Sequence, residues 1–317
     1  MLEERKAEHL HINLEKDVSF PQVTTGLERY CFVHNALPEL DLARVELGTA
    51  FLGKQLRLPL LISSMTGGTS EAQRINLHLA EGAQAAGIAM GLGSLRAALE
   101  APHLADTFRV RHLAPDVLLF ANLGAVQLNT GVTVDDCRRA VDLVEADALI
   151  LHLNPLQEAL QAEGDTNWAG LLDRIAAVCR SLDVPVVAKE VGWGISAGVA
   201  RRLADAGVEA VVVSNHGGRQ LDAVPSTAAA LPAVAEAVGD RVEVLVDGGV
   251  RSGLDVLKMM SLGARACLVG RPWAWAVAVD GEAGVTHLLE ILRDELAVAM
   301  GLTGTDDVAK LGADHLL

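Results

Sequence analysis

The chain is poor in aromatic residues and in cysteine. Aromatic residues make up 3% of its 317 residues, whereas hydrophobic residues make up 50%, so any large core must be mainly aliphatic. The cysteines are Cys31, Cys137, Cys179 and Cys267, and no two of them form a Cys-x-x-Cys pair. This wide spacing excludes the common patterns of zinc sites and of disulfide frameworks.

Basic residues and long apolar runs are also scarce. The 26 Lys and Arg residues are outnumbered by 41 Asp and Glu residues, which gives a formal net charge of −15. We expect no nucleic-acid partner, because neutralising phosphates requires a basic surface, whereas a small anion requires only a local basic cluster. No apolar run reaches about 18 residues, so we expect no membrane span. The charged N-terminal sequence is unlike a secretory signal, and a cytoplasmic location is expected.

The chain does contain short apolar runs that recur about every 30 residues, each followed by a helical pattern, which is the size of a βα unit. Eight such units predict an α/β fold, a closed (β/α)8 TIM barrel that forms one domain over residues 1–317. Residues 1–57 would form an N-terminal extension, and residues 284–317 would form a last helix and a tail. The alternative is a doubly wound open sheet. The predicted strands cover residues 58–64, 88–90, 117–122, 148–153, 184–191, 210–214, 242–246 and 266–269.

Polar residues follow the predicted strands at their C-terminal ends, where (β/α)8 enzymes carry their active sites. We expect them to form one site, because these ends meet at one face of the barrel. Taken alone, a residue such as His152 at a strand end is more often structural than catalytic. The residues are Met65, Thr66, Ser94, Arg96, Asn122, His152, Asn154, Lys189, His216, Asp247 and Arg271.

Two Gly-rich turns after the seventh and eighth predicted strands suggest a phosphate site. Gly248 and Gly249 would let the backbone approach a ligand, while Arg251 and Arg271 would neutralise its charge; Gly270 begins the second turn. Barrels often bind phosphate at this place through backbone N–H groups and the start of a short helix. The alternative is a pair of tight turns that carry surface arginines.

The sequence SNHGGRQLD at residues 214–222 and the pattern DGGxRxGxDxxKxxxLGA that begins at Asp247 resemble the FMN-dependent α-hydroxy-acid dehydrogenases. The resemblance covers residues 206–317. It implies that His216 is the base that takes the substrate hydroxyl proton and that Arg219 binds the substrate carboxylate. It also implies that Ser214, the residues from Asp247 to Arg251, and the pair Gly270 and Arg271 bind FMN.

Residues 1–205 instead resemble the type 2 isopentenyl-diphosphate isomerases, through TTGLERY at 24–30, SSMTGG at 63–68, GLGSLR at 91–96, HLNPLQE at 152–158 and KEVGWGIS at 189–196. This resemblance implies reduced FMN as an acid–base group, NADPH as reductant, and a homo-oligomer, either tetramer or octamer. Glu158 would hold Mg²⁺, and Gln157 would lie beside the substrate double bond. The implied diphosphate-substrate contacts are Arg5, Lys6, His9, Arg96, His152 and Asn154. The implied flavin contacts are Met65, Thr66, Ser94, Asn122 and Lys189.

The two resemblances conflict after the sixth predicted strand. The isomerase family has a Gly-Gly-Thr-Ser sequence and a long insertion there, whereas this chain has Arg219 and Gln220 after its two glycines. The hydroxy-acid family uses tyrosines near the flavin, and the one tyrosine here, Tyr30, lies in the isomerase-like part. We therefore favour the isomerase and interpret the chain as a mosaic of two half-barrels. The alternatives are a 2-hydroxy-acid dehydrogenase or oxidase and a flavin-binding barrel without activity.

Overall fold

Eight parallel strands close into a barrel in the computed structural model, which describes residues 12, 15–17, 23–192, 194–218 and 224–317. Each strand pairs with the next one along the chain, and the last pairs with the first. This confirms the predicted TIM barrel and excludes the open sheet. A hairpin of β1 (Thr49–Phe51) and β2 (Lys54–Leu56) precedes it. The barrel strands are β3 (Leu60–Ile62), β4 (Ala89–Gly91), β5 (Leu119–Gly124), β6 (Ala148–Leu153), β7 (Val186–Glu190), β8 (Ala210–Val213), β9 (Glu243–Val246) and β10 (Ala266–Val269).

Helices lie between consecutive strands and surround the barrel. Several begin at a Ser or Thr whose hydroxyl accepts a backbone N–H three residues on, as Ser196 and Ser252 do. The helices are α1 (Ser70–Ala86), α2 (Arg96–Glu100), α3 (Val134–Val144), α4 (Pro155–Leu160), α5 (Leu171–Ser181), α6 (Ala197–Asp205), α7 (Thr227–Val238), α8 (Gly253–Ser261) and α9 (Arg271–Thr303).

The last helix begins earlier than the sequence predicted. Helix α9 starts directly after β10, with Pro272 in its first turn, and ends at Thr303. Its backbone departs from helical angles at Asp280 and Gly281, where Gly281 has φ 53°. Because a glycine tolerates this conformation, the second helical segment follows the first without an intervening loop. The first segment therefore starts at the predicted phosphate site.

The hairpin closes the end of the barrel where the strands begin. Phe51 is buried and stacks on Phe120 of β5, with ring centroids 6.1 Å apart. Next to it, Lys54 Nζ lies 2.7 Å from Asp147 Oδ1 and 3.3 Å from the carbonyl oxygen of Val117, just ahead of β6 and β5. The sequence predicted an extension here but not this hairpin. The hairpin thus fills the end of the barrel where the strands begin, opposite the end that carries the predicted site residues.

Among the residues described above, no helix combines the length and the apolar character that crossing a membrane requires.

Replacing Phe51 with Ala should lower the free energy of unfolding by about 3–5 kcal/mol, because it empties the stacked site under the barrel. Urea denaturation followed by circular dichroism measures this change. The control is Leu37→Ala, whose side chain is 74% exposed and which should shift the same quantity by less than about 0.5 kcal/mol. Equal effects of the two substitutions would contradict a role of the hairpin in the core.

Candidate active site

Two adjoining cavities open at the C-terminal ends of the strands. The first lies over β3, β7, β9 and β10 and is lined by residues that include Met65, Lys189, His216 and Asp247. The second has a volume of about 330 Å³ and extends toward Thr24, Thr25, Asn215, Ser226 and Thr227. Both are lined by the same residues of the Gly-rich turns: Gly217, Gly248, Gly249, Arg251 and Arg271. The two cavities therefore form one elongated site.

A buried ion pair lies at the inner end of this site. Lys189 Nζ, on β7, is 3.1 Å from Asp247 Oδ2, after β9, and donates to Ser214 Oγ at 2.9 Å. Lys189 is 3% exposed and Asp247 is 7% exposed. Removing either partner would leave a buried charge without compensation, which is strongly destabilising. The pair therefore fixes the positions of both groups at the cavity wall.

Three buried oxygen atoms of cavity-lining residues have no hydrogen-bond partner within the described part of the chain. They are the hydroxyl oxygen of Ser64 and the two acceptors Asp247 Oδ1 and Asn215 Oδ1. A buried acceptor without a donor is costly, and native proteins usually satisfy such groups. Because Asp247 lines the first cavity and Asn215 the second, a ligand with several hydroxyl donors would suit both places. The ribityl chain of FMN is a ligand of this kind.

The turn after β9 brings the backbone close to the outer cavity. Gly248 and Gly249 have φ of 89° and 103°, a region that favours glycine. A Cβ atom on Gly248 would lie 2.8 Å from Asn215 Oδ1, and one on Gly249 would lie 2.7 Å from Thr25. The hydroxyl of Thr227 donates to the carbonyl oxygens of Asp247 and Gly248 at 2.5 and 3.1 Å and so fixes the turn.

Arg251 and Arg271 concentrate positive charge at the same place. Arg271 Nη2 donates to the carbonyl oxygen of Gly217 at 2.6 Å, and Arg251 Nη1 donates to that of Val250 at 3.0 Å. Burial, helped by the neighbouring charge of Arg271, lowers the pKa of Arg251 to about 10. Burial also lowers the pKa of Arg271. Two partly buried cations that repel each other are stabilised by an anion, so this end of the site fits a phosphate group.

A second polar cluster lies beside the first cavity, where β6 ends. His152 is paired in register with Lys189 of β7 and with Gly124 of β5. Its Nδ1 is 2.8 Å from Asn122 Oδ1. Since an amide oxygen can only accept, Nδ1 carries the proton and Nε2 is an acceptor. Burial, and then the charge of Lys189, lowers the pKa of His152 to about 4, so this ring is neutral at pH 7.

Asn154 and Glu158 continue this cluster into helix α4. Asn154 Nδ2 donates to Glu158 Oε1 at 2.5 Å, and the backbone N–H of Asp165 donates to Glu158 Oε2 at 2.8 Å. Asn154 Oδ1 is buried and has no hydrogen-bond partner among the described residues. Gln157 lies in the same helix and is half-buried. The carboxylate of Glu158 is thus held in one orientation, next to an acceptor that a ligand could satisfy.

Arg96, a predicted substrate contact, is engaged with carboxylates. Its Nε donates to Glu100 Oε1 at 2.7 Å, and its Nη1 is 3.6 Å from Asp165 Oδ2. The hydrogen bond that Arg96 donates to Glu100 raises the pKa of Arg96, with smaller contributions from the charges of Asp165 and Glu158. Arg96 therefore connects helix α2 to the loop that orients Glu158.

The remaining predicted site residues are placed in different ways. Met65 and Gly270 line the first cavity, whereas the hydroxyl of Thr66 donates to Asn76 Oδ1 at 2.5 Å. Ser94 is half-buried after β4. No group of three or more His, Cys, Asp or Glu side chains with metal-binding geometry occurs in the described ranges. The predictions for Arg5, Lys6, His9 and Arg219 lie outside the described residues.

His216 adopts a strained backbone conformation at the mouth of the cavity. Its φ is 56°, which is uncommon for a residue with a side chain, and its N–H donates to Ser214 Oγ at 3.0 Å. The adjoining Gly217 also has a positive φ of 62°. The tight turn places His216 in the wall of the first cavity, together with Lys189.

Sequence reasoning missed several residues of this site. Thr25 belongs to the TTGLERY sequence and had a signal that was not used, whereas Asn215, in SNHGGRQLD, was predicted at the end of the sixth strand but was given no role. Ser226 and Thr227 form the start of helix α7, a common anion-facing position. Trp275 carried no signal, because only the packing of helix α9 brings it to Arg251, whose Cζ lies 5.2 Å from the ring centroid.

Comparisons with known proteins identify the family of this chain. A family model described as FMN-dependent dehydrogenase matches residues 1–103 and 134–317. A relative from Nostoc sp. named isopentenyl-diphosphate delta-isomerase is 46% identical over 328 residues, covering 97% of this chain and 93% of that protein. One of the same name from Synechococcus sp. is 48% identical over 331 residues, covering 98% and 94%.

Solved structures with the same fold include hydroxy-acid enzymes. A mandelate oxidase variant with a monooxide FMN adduct has a TM-score of 0.72 at 32% identity, and the match covers 97% of this chain and 90% of that chain. A flavocytochrome b2 variant with pyruvate bound has a TM-score of 0.78 at 25% identity, covering 97% and 82%.

The matches run through both halves of the chain. The dehydrogenase model covers residues on either side of residue 206, and the two isomerase relatives align with 97% and 98% of the chain. They do not support the prediction of a mosaic of two families. The chain belongs to the FMN-dependent dehydrogenase family and, within it, to the family of proteins named isopentenyl-diphosphate delta-isomerase.

Proposed function

We propose that this protein interconverts isopentenyl diphosphate and dimethylallyl diphosphate, with FMN in the elongated cavity, Mg²⁺ on the diphosphate, and NADPH as the source of electrons that keeps the flavin reduced. The relatives with that name support this proposal. The observation that carries it is the cluster of Asn122, His152, Asn154 and Glu158, which lies beside Lys189 at the wall of the cofactor cavity.

The chain offers a suitable group for each part of FMN. Arg251, Arg271 and the backbone of Gly248 and Gly249 would hold the phosphate. Asp247, with its unsatisfied buried oxygen, would accept hydrogen bonds from the ribityl hydroxyls. The ring would contact Met65, Thr66, Ser94, Asn122 and Lys189, with Ser214 and Gly270 at its edge. When bound and reduced, FMN supplies an acid–base group, and the charge of Lys189 would stabilise negative charge that develops near it.

Glu158 suits the role of a lone protein ligand for a diphosphate-bound Mg²⁺. Magnesium is commonly held by one or two carboxylates together with substrate phosphates and water, so a cage of several acidic side chains is not needed. The hydrogen bonds from Asn154 and from the backbone of Asp165 hold the carboxylate ready. Arg5, Lys6 and His9 would provide charge for the phosphates, and Arg96 would exchange its carboxylate partners for them.

The isoprenoid part of the substrate would lie between the flavin and the end of β6. There Gln157 would adjoin the double bond, as the family resemblance implies. His152 would contribute a neutral ring with Nε2 as acceptor rather than a positive charge, because burial holds its pKa at about 4. A neutral wall of this kind binds an apolar chain without adding a second cation beside Lys189.

Replacing Glu158 with Gln should reduce isomerisation at least about 100-fold, because it removes the charge on the proposed magnesium ligand. The assay is anaerobic, contains FMN, Mg²⁺ and NADPH, and follows dimethylallyl diphosphate formed from isopentenyl diphosphate. Visible absorbance should show that the variant still binds FMN. The matched control is Glu163→Gln, which changes an exposed carboxylate of the following loop and should leave the rate unchanged. Turnover by the Glu158 variant at the wild-type rate would remove the metal role, and no turnover by the wild type would sink the proposed reaction.

His152 should make the protein less stable as the pH falls. Its pKa is about 4 in the folded protein and about 6.5 when unfolded, so the unfolded chain binds the proton first. The contribution of the neutral His152 ring to the free energy of unfolding is complete above pH 6.5 and is lost as the pH falls toward 4. Between pH 7 and pH 5, the free energy of unfolding should fall by about 2 kcal/mol more in the wild type than in His152→Gln.

Urea denaturation at both pH values, with FMN saturating, measures this difference. His103→Gln, which alters an exposed histidine, should follow the wild type. Parallel pH dependences of the wild type and His152→Gln would show that His152 is not held neutral by its surroundings.

A second candidate function is FMN-dependent oxidation of a 2-hydroxy acid. The position of His216 in the wall of the cofactor cavity favours it, as does the fold shared with mandelate oxidase. In this interpretation His216 would take the proton of the substrate hydroxyl, and Arg219 would bind the carboxylate. The isomerase proposal is preferred because the relatives named isopentenyl-diphosphate delta-isomerase are 46% and 48% identical to this chain, whereas the mandelate oxidase is 32% identical.

Anaerobic addition of L-lactate, glycolate or mandelate should therefore leave the visible spectrum of the bound flavin unchanged. Dithionite serves as the positive control, because it should bleach the same sample. Bleaching by a hydroxy acid that disappears in His216→Ala would instead establish the second function. Failure of both this assay and the isomerase assay, with FMN bound, would identify a flavin-binding barrel without either activity.

A homo-oligomer, either tetramer or octamer, remains part of the proposal. Helix α9 exposes Ile291, Val298 and Leu302, whose spacing of seven and then four residues puts them on one face. An apolar helix face of this kind suits a contact between copies of the chain. Light scattering of the purified protein measures the mass of the assembly. The cytoplasmic location also remains a prediction.

A further inference from the structure

We propose that Trp275 is a positioning residue that holds the guanidinium group of Arg251 at the phosphate end of the cofactor cavity. This inference rests on the proposed placement of FMN and assigns a role to a residue outside the Gly-rich turns. Trp275 lies in the first segment of helix α9. It follows Gly270 and Arg271, which line the cavity.

The contact is between a cation and an aromatic ring. Arg251 Cζ lies 5.2 Å from the centroid of the Trp275 ring, within the range of about 6 Å in which the two attract each other. Tryptophan gives the strongest attraction of this type. The interaction therefore links the turn after β9 to the helix after β10, which are the two elements that form the phosphate end.

The other contacts of Arg251 do not explain the position of its guanidinium group. Asp255 Oδ2 accepts from the backbone N–H of Arg251 at 2.9 Å, and Arg251 Nη1 donates to the carbonyl oxygen of Val250 at 3.0 Å. Within the described ranges, no carboxylate lies at ion-pair distance from the guanidinium group. The neighbouring charge of Arg271 repels it and contributes to its lowered pKa of about 10. The charge of Asp255 favours the cation from beyond ion-pair distance, whereas the ring of Trp275 lies directly against the guanidinium group.

An aromatic partner has a specific advantage at a phosphate site. A carboxylate in its place would occupy the N–H donors of Arg251 and would repel the incoming phosphate. Attraction to the ring uses the charge of the guanidinium group, and the planar fork of N–H groups stays available for bidentate binding of phosphate oxygens. Trp275 would therefore restrict the side-chain conformations of Arg251 before the phosphate binds, without competing with the phosphate for the N–H donors.

The two tryptophans of this segment have different environments. Trp273 is fully buried and belongs to the hydrophobic core. Trp275 is half-buried, so its large ring is not needed to fill the core. A smaller apolar residue could occupy position 275 without opening a core cavity, and this makes Trp275 suitable for substitution.

The test compares two flavins that differ only in the phosphate group. The apoprotein is titrated with FMN and with riboflavin, and quenching of flavin fluorescence gives both Kd values. Trp275→Leu should raise the Kd for FMN about 3- to 30-fold, whereas the Kd for riboflavin should stay within about twofold. Trp275→Phe should retain most of the preference for FMN, because it keeps an aromatic face. The control is Trp168→Leu, which should change neither Kd. Trp168 is 37% exposed and lies elsewhere on the surface.

A double-mutant cycle tests whether Trp275 acts through Arg251. Arg251→Ala alone should remove much of the preference for FMN, and adding Trp275→Leu should cause little further loss. Equal weakening of FMN and riboflavin in Trp275→Leu, or additive losses in the double variant, would overturn the inference and leave Trp275 a packing residue.

The outcome for the wild type separates this inference from the proposed function. A wild type that binds riboflavin as tightly as FMN would overturn both the phosphate placement and the role of Trp275. A wild type that prefers FMN, combined with an unchanged preference in Trp275→Leu, would overturn the role of Trp275 alone.

Discussion

The buried pair of Lys189 and Asp247 is the interaction on which the rest of the site depends. It joins β7 to the turn after β9, and its positive partner also faces β6, where its charge helps to lower the pKa of His152. One ammonium group thus contributes to two environments, the wall of the cofactor cavity and the neutral cluster beside it. Because neither buried charge is tolerated without the other, the spacing of these strand ends is fixed before any ligand binds.

Charge is distributed unevenly along the elongated cavity. The chain carries a net charge of −15, yet the proposed phosphate end brings together Arg251 and Arg271. The repulsion between them is tolerated because backbone carbonyl oxygens accept their hydrogen bonds and Trp275 attracts Arg251. An acidic surface and a local basic site together favour a small anion and disfavour a polyanion such as nucleic acid.

The sequence predicted the barrel and the residues around its open end because both follow from local pattern. Short apolar runs mark the strands, and the polar residue after each run marks the active-site face, as His152 and Lys189 illustrate. The hairpin was not predicted, because the burial of Phe51 depends on Phe120, which lies far along the chain. The pairing of Arg96 with Asp165 and the contact of Trp275 with Arg251 depend in the same way on tertiary packing. The mosaic interpretation took the two motifs within residues 206–317 as the mark of a second family, whereas the isomerase relatives align through both halves.

The position of the ionisable groups relative to the flavin distinguishes the two chemistries that this fold supports. Oxidation of a hydroxy acid requires a base that can accept a proton, and His216, in the wall of the first cavity, is the candidate for it. Isomerisation of an allylic diphosphate needs no such base from the protein if the reduced flavin supplies acid–base chemistry, but it does need a site for a metal–diphosphate group beside an apolar pocket. We propose the end of β6 for that group, because Glu158 is held by Asn154 and Asp165 while His152 is kept neutral. If the isomerase chemistry holds, His216 serves the turn instead, since the adjoining Gly217 accepts the hydrogen bond of Arg271.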